Sequence, residues 1–571
     1  MNCLIQHGND WLRFSDPVEV LTARTAPEVF QCLETIEKSG LWAAGFITYE
    51  AAGAFDSALK THAPGSLPLL QFGLFQTFEK IKPESTGVYQ LGEWKPSVSH
   101  DEYSATIAKI KEHIAAGDTY QVNYTFRLNT PFSGDPFAFF CDLAAAQQGR
   151  YAAFIETDEL AICSASPELF FELKDGVITS RPMKGTMTRG LTFSNDWKQR
   201  EALKNSAKDC AENIMIVDMI RNDIGRIAEA GSVETLSRFD VEKYPTVWQL
   251  TSTVKGEVKP RNTQNTRKMV DVMKALFPCA SITGAPKAKT MEIIQGLEKS
   301  PRGIYTGAIG FIAPDGTAQF NVAIRTAVVD RMNGLVEYGI GGGIVWDSNP
   351  EDEYREAMSK AAILTKKIPQ FQLLETMLWE DGEIFLLERH LRRLAESADY
   401  FGFSCDVRKI RDHLRNLRFE FPMRLRLLLN KDGAFEIQNF RHTCASVNNL
   451  AVAKHPVDSG EVFLYHKTTN RAVYEKAKAG FPEADDVLLY NERGEVTESC
   501  IANVVVELDG RKITPPVSCG LLSGTFRDEL LENGEIEEGL ILLDDLPRAD
   551  AIWLVNSVRK WRKVVLRDSH A

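Results

Sequence analysis

Residues 338–364 read YGIGGGIVWDSNPEDEYREAMSKAAIL. The glycines Gly339, Gly341, Gly342 and Gly343 let backbone approach a ligand closely, and successive free N–H groups there suit a carboxylate. The run matches neither a G-x-G-x-x-G fingerprint in its strand–helix context nor a P-loop. Asn349 followed by Pro350 predicts a helix cap and first turn, and acidic residues fill the turn that follows. On that helix Glu353, Glu356 and Lys360 lie at i, i+3 and i+7 and share a face. Two carboxylates on one face, joined by a third from Glu212, can hold Mg²⁺ through oxygen ligands and waters.

Glu212 belongs to AENIMIVDMIRNDIGRIAEAGSVE, residues 211–234. Ile216, Ile220, Ile224 and Ile227 recur at i, i+4, i+8 and i+11, which predicts one apolar helix face with Glu212 at the helix start. Upstream, LAICSASPELFFELKDGVITSRPMKGTMTRG (160–190) predicts a hairpin. Leu169–Lys174 is the first strand, Asp175-Gly176 the turn and Val177–Ser180 the return. Antiparallel return brings Glu168 and Lys184 toward the same end. Glu168 then suits a general acid, and Lys184 a nucleophile or base if burial lowers its pKa.

The whole chain has 571 residues, 44% of them apolar and 25% charged, with net charge −12. Single cores stop growing near ~250–300 residues, so two or more domains are expected. The acidic balance argues against nucleic acid or an anionic membrane as the main partner. Ten scattered cysteines without a CxxC pair point away from a zinc site or disulfide framework and toward the cytoplasm. No signal peptide and no membrane span are expected. Helical and strand patterns alternate throughout, predicting a mixed α/β fold. The clearest seam is Thr365–Gln370 (TKKIPQ), dividing a front domain, 1–366, from a rear domain, 371–571.

In the rear part, residues 371–403 predict a strand, an Asp-Gly turn, a second strand and an amphipathic helix carrying Arg393. Lys467 follows a short apolar run, Glu498 lies on a strand after an Arg-Gly turn, and Ser523-Gly524-Thr525 opens a helix suited to phosphate. Lysine, carboxylate, arginine and helix N-terminus are the parts that pyridoxal 5'-phosphate (PLP) needs.

Taken together, the front motifs resemble the chorismate-utilising family, which includes anthranilate, aminodeoxychorismate, isochorismate and salicylate synthases. The resemblance covers about 80–366. It runs through GDTYQVNYTFRL (117–128), SPELF (166–170), RPMKGT (181–186), AENIMIVDMIRNDIGR (211–226), ASITGAPKAKTMEII (280–294), YTGAIGF (305–311), NVAIRT (321–326) and GGGIVWDS (341–348). It implies a large two-layered α/β sandwich of α+β type, with chorismate and ammonia as substrates. It further implies Glu212, Glu353 and Glu356 as Mg²⁺ carboxylates and Glu168 as general acid. It likewise implies Tyr305, Arg325 and the backbone at Gly341 and Gly343 as the substrate-carboxylate pocket, with Ser281 and Lys360 as further substrate contacts. Lys184 stands where the anthranilate synthases typically have alanine and the aminodeoxychorismate synthases have lysine. There the resemblance implies attack of the amine on ring C2, then addition of ammonia at C4. A lysine at the reference value of ~10.4 is protonated and inert, so its surroundings must deprotonate it. Gln249 replaces a family histidine, which puts an acid role at that position in doubt. The N-terminal 80 residues lack the L-L-E-S motif of tryptophan-binding members. No glutaminase domain is visible, so ammonia comes free or from a separate glutamine amidotransferase.

The rear domain resembles fold-type IV PLP enzymes, the branched-chain and D-amino-acid transaminases and aminodeoxychorismate lyase, over about 371–565. The resemblance implies Lys467 as the cofactor lysine, Glu498 as partner of the pyridine nitrogen and Arg393 as phosphate arginine. It also implies Thr525 and Phe526 as backbone N–H donors to the phosphate, Asn556 and Ser557 as a further phosphate contact, and Thr376 as a residue near the substrate. A homodimer through this domain is possible in the same family. Fusion to a chorismate enzyme favours the lyase, giving 4-aminobenzoate for folate synthesis. Two alternatives stay open. One is an anthranilate- or isochorismate-type front enzyme with a general class IV aminotransferase behind it, and the other is a non-catalytic rear module.

Overall fold

The structure is a computed structural model and describes residues 1–258, 268–364, 369–443 and 449–567. Residues 365–368, which carry most of the expected seam, lie outside the described residues. The chain divides into two units, Met1–Thr188 with Arg200–Ile368, and Arg189–Gln199 with Pro369–Ala571. It is a mixed α/β chain in both.

Two antiparallel sheets build the first unit, one of eleven described strands and one of ten. Strand alternation sends every second side chain to each face. Cys3, Ile5 and Phe14 from one sheet meet Phe46, Ile309 and Phe311 from the other in a core between them. The outer faces carry helices. Tyr103, Ile107 and Ile110 of the helix His100–Ala115 cover the first sheet. Ile216, Ile220 and Ile224 of the helix Ala207–Gly225 cover the second. The sandwich thus has helices outside both sheets.

Two expectations for that last helix are corrected. It begins at Ala207, where the Ser206 side chain accepts from Asp209 N, so Glu212 sits in its second turn. Ile227 lies past its end, although it joins the same core.

The glycine run ends a long antiparallel pair. Leu335–Ile344 runs beside Gln121–Gly134 with Gly341 opposite Thr125 and Gly343 opposite Asn123. The helix Pro350–Ser359 follows, capped by the Asn349 side chain, which accepts from Glu351 N and Asp352 N. Lys360 is its C-cap residue. The strands Leu169–Lys174 and Val177–Arg181 form the expected hairpin.

The second unit holds a four-stranded and an eight-stranded sheet. Leu373–Glu380 pairs with Met423–Leu429 in the smaller one. Its Leu373, Met377 and Trp379 face the helix Leu387–Phe401 in a shared core, so Glu375 on the same side is carried into the interior. The helix Thr525–Glu532 opens after Gly524. Among the described residues no helix is long and apolar enough to cross a membrane.

Candidate active sites

In the first unit one pocket gathers the expected site residues from eight segments of the chain. Glu168, Lys184, Glu212, Ser281, Tyr305, Arg325, Gly341, Gly343, Glu353, Glu356 and Lys360 all line it. The Glu168 carboxyl is fully withdrawn from water, and burial pushes it up to about 7, against the Ser281 hydroxyl, the Met183 N–H and the Lys184 charge. Its Oε1 is buried without a hydrogen-bond partner. A carboxyl that is protonated near neutrality and open on one oxygen can donate a proton into the pocket.

Lys184 lies on the strand Met183–Thr188, where pairing with Val247–Glu257 slips between Met183 and Thr186. Gly185 takes φ +100° there, a conformation that favours glycine. Lys184 Nζ is 3.5 Å from Glu212 Oε2. A methyl group on Gly343 would lie 2.3 Å from Lys184 Nζ and 2.0 Å from Gln121 Nε2, so only glycine leaves both groups room.

Each of the three carboxylates is engaged. Glu212 meets Lys184, Glu356 meets Lys360 at 3.0 Å, and Glu353 accepts from Ser348 Oγ at 2.6 Å. The Lys360 charge holds Glu356 below the usual carboxylate range, while burial raises Glu353. Lys360 Nζ also donates to Gly341 O at 2.9 Å. Arg325 adopts φ +52°, a strained conformation for a non-glycine residue. Its Nη1 donates to Lys360 O at 2.5 Å. Tyr305 is buried, with the Arg127 guanidinium 5.0 Å from its ring centre.

The second unit concentrates its charges around Lys467. Leu374 N donates to Lys467 O at 3.0 Å, which fixes that backbone against the strand Leu373–Glu380. Burial lowers the Lys467 amine to about 8. Glu498 is buried and pushed up to about 7 by desolvation. It accepts from Tyr474 Oη at 2.8 Å and from Asn503 Nδ2 and Leu522 N at 3.3 Å. Arg393 donates through Nε and Nη2 to Glu375 at 2.9 and 2.7 Å and through Nη1 to Ser523 O at 3.0 Å. Thr525 and Phe526 begin their helix, where first-turn N–H groups lack intrahelical acceptors. Ser557 Oγ donates to Thr376 O at 3.4 Å. Asn556 Oδ1 accepts from Val558 N and Arg559 N of its own loop, and its Nδ2 donates to Ile501 O of a distant segment.

Residues 79–366 match the family model for chorismate binding enzymes. The chain belongs to the chorismate binding enzyme family. Residues 372–566 match the class IV amino-transferase model. Aminodeoxychorismate synthase component 1 of Escherichia coli is 39% identical over 276 residues, covering 48% of this chain and 59% of that protein. Anthranilate synthase component 1 of Aquifex aeolicus is 36% identical over 299 residues, 51% of this chain and 59% of that one. The chain therefore spans about three fifths of the length of each of these relatives. The crystal structure of anthranilate synthase component I from Streptococcus pneumoniae superposes with a TM-score of 0.54 at 24% identity, covering 64% of this chain and 92% of that one. That likeness is one of fold.

Within this chorismate binding enzyme, three pocket neighbours had no assigned role in the sequence. Gln121 is buried, and its Oε1 has no hydrogen-bond partner. Its place in the 117–128 motif, opposite the glycine strand, was the available signal. Lys208 lines the pocket, and its charge favours the ionised form of both Glu353, which burial nonetheless raises, and Glu356. Gln249, singled out only as a departure, donates from Nε2 to Gly185 O at 2.9 Å and accepts from Thr186 Oγ1 at 3.2 Å. It tethers the slipped residues beside Lys184.

The donor sets can be compared with the groups they would hold. Glu212, Glu353 and Glu356 offer oxygen ligands of the kind Mg²⁺ takes. Among the described residues, however, no three acidic, histidine or cysteine side chains converge closely enough to hold a metal ion. A cation would displace Lys184 and Lys360 from their partners. The second unit suits PLP by its buried amine near 8, its buried carboxyl and its arginine beside a helix start.

Proposed function

We propose that the chain makes 4-aminobenzoate from chorismate in two steps. The first unit replaces the C4 hydroxyl of chorismate by an amino group from ammonia. The second removes pyruvate from the resulting 4-amino-4-deoxychorismate. The observation that carries the reading is Lys184 beside the buried, half-unpartnered Glu168 in one pocket.

In the first step Glu168 donates its proton to the departing C4 hydroxyl while Lys184 Nζ bonds to C2, and water leaves. Ammonia then bonds to C4 and the C2–Nζ bond breaks, returning Lys184. A single direct attack would place nitrogen at C2, so the lysine accounts for a 4-amino product. Arg325 and Tyr305 orient the substrate carboxylate. Glu212, Glu353 and Glu356 do not converge in this structure, and would have to part from Lys184, Ser348 and Lys360 to hold Mg²⁺, which would supply positive charge against the other carboxylate.

In the second unit Lys467, Glu498, Arg393, Thr525 and Phe526 would hold PLP, which when bound supplies an electron sink. Glu498 keeps a proton at the pyridine nitrogen. Lys467 takes the proton from ring C4 and returns one to the departing pyruvate. Thr376 borders the substrate. Aromatisation drives the step.

The relatives are named as component 1, which supports a separate glutamine amidotransferase as ammonia source. The described cysteines are free thiols, which supports a reducing cytoplasm. A homodimer through the second unit belongs to the same reading. A second reading, an anthranilate-type product, has support from the Aquifex relative.

The test feeds purified chain with chorismate, Mg²⁺ and ammonium, with and without PLP. 4-Aminobenzoate and pyruvate are expected with PLP, and aminodeoxychorismate alone from Lys467→Ala. 2-Aminobenzoate would overturn the first assignment. A missing visible absorbance band in protein supplied with PLP would overturn the second.

A further inference from the structure

We infer that Glu375 is a positioning residue that sets the phosphate-binding turn of the second unit. The inference rests on the reading of that unit as a PLP site. The sequence gives Glu375 no role, being one residue before Thr376 on the strand Leu373–Glu380. It is a fully buried carboxylate on the face that otherwise carries Leu373, Met377 and Trp379 into an apolar core. Burying an ionised carboxylate is costly unless its oxygens are met by charged donors.

Two arms leave this carboxylate and end on the same turn. In one, Arg393 donates two N–H groups to Glu375 and a third, at 3.0 Å, to Ser523 O. In the other, His390 Nδ1 meets Glu375 Oε2 at 2.6 Å, and its Nε2 meets Thr525 Oγ1 at 3.3 Å. Ser523, Gly524 and Thr525 are thus held from both sides, just where the helix Thr525–Glu532 presents its first N–H groups. The arms also fix Arg393. Three of its five N–H groups are taken, leaving two to point elsewhere. The guanidinium cannot swing without breaking a paired, two-point contact.

The charges agree with this role. Arg393 and His390 hold the Glu375 carboxyl down at about 2, against its burial, so it stays ionised across the working range. Burial lowers His390, whose two ring nitrogens face the Glu375 carboxylate on one side and the Thr525 hydroxyl on the other. Glu375 plus Arg393 sums to zero net charge. The network holds the phosphate by the direction of its N–H groups rather than by surplus charge. The strand LLET then serves in succession: Leu374 fixes the Lys467 backbone, Glu375 the phosphate turn, and Thr376 O accepts from Ser557.

The experiment measures binding of PLP and of pyridoxal, which lacks the phosphate, by equilibrium dialysis of the full chain. Glu375→Gln keeps the shape and removes the charge. It should weaken PLP by roughly 10–100-fold, as loss of an orienting partner does at metal sites, while pyridoxal changes less than about twofold. Thr525→Val cuts the histidine arm at its outer end and should weaken PLP alone by about three- to tenfold. It tests the network even where Glu375→Gln unfolds. Equal losses for both ligands, or no loss for PLP, would overturn the inference. A wild-type chain that binds neither ligand would instead sink the PLP reading beneath it.

Discussion

Lys184 Nζ lies 3.5 Å from Glu212 Oε2, in space left open because residue 343 has no side chain. The proposed nucleophile and a proposed metal carboxylate are therefore partners, and a glycine on a third segment makes the pairing possible. Gly343→Ala would push a methyl group onto both Lys184 and Gln121. Amination of chorismate should fall by about 100-fold or more, because misplacing a reacting group by about 1 Å costs that much. Pyruvate release from supplied aminodeoxychorismate should be unchanged. Equal activity of variant and parent in a product assay would refute the geometry.

Glu168 should give the amination a falling alkaline limb. Its carboxyl titrates at about 7 because burial disfavours the charged form. As general acid it must be protonated, so kcat/KM should drop tenfold per pH unit above about 7. The stability sign is the same. A folded value near 7 exceeds the ordinary 4.5, so its contribution is complete below about 4.5 and lost as pH rises through 7. In Glu168→Gln the residual rate should be flat across this range, and a persisting limb would assign it to another group.

Gln249 uses both ends of its amide on Gly185 and Thr186. Gln249→Leu removes the tether and should lower kcat for amination about tenfold with KM for chorismate within about twofold. Gln249→His should recover part of the rate and add an ionisation near the histidine reference value of ~6.5 to the pH profile. A Leu variant with full kcat would show that the tether does not matter.

Removal of divalent cations should separate the two reactions. With Glu212, Glu353 and Glu356 as oxygen ligands, chelation should abolish amination and added Mg²⁺ restore it. Conversion of aminodeoxychorismate to 4-aminobenzoate should proceed at its normal rate. Amination that continues in excess chelator would exclude the metal assignment.

Tyr474 donates to Glu498 at 2.8 Å and is the main group opposing the desolvation that raises it. In Tyr474→Phe the Glu498 carboxyl should rise further and PLP affinity fall by about tenfold. Thermal unfolding should register a loss of about 1–2 kcal/mol. Unchanged affinity by dialysis would separate Glu498 from cofactor binding.

Much of this was written in one dimension. The Asn349-Pro350 cap, the Asp175-Gly176 hairpin and the isoleucine face at 216, 220 and 224 are local features, set by turn chemistry and side-chain period. So is the residue type at 184, which a covalent role requires whatever surrounds it. The meeting of Lys184, Glu212, Gln121 and Gly343 was not legible, because it depends on strands and helices distant in the chain. Burial is likewise a tertiary property. It raises Glu168 and Glu498, lowers Lys467, and no spacing of residues contains it. Glu375 shows the limit most clearly. By sequence it is a charged residue in an apolar strand, and only the folded unit brings His390 and Arg393 against it.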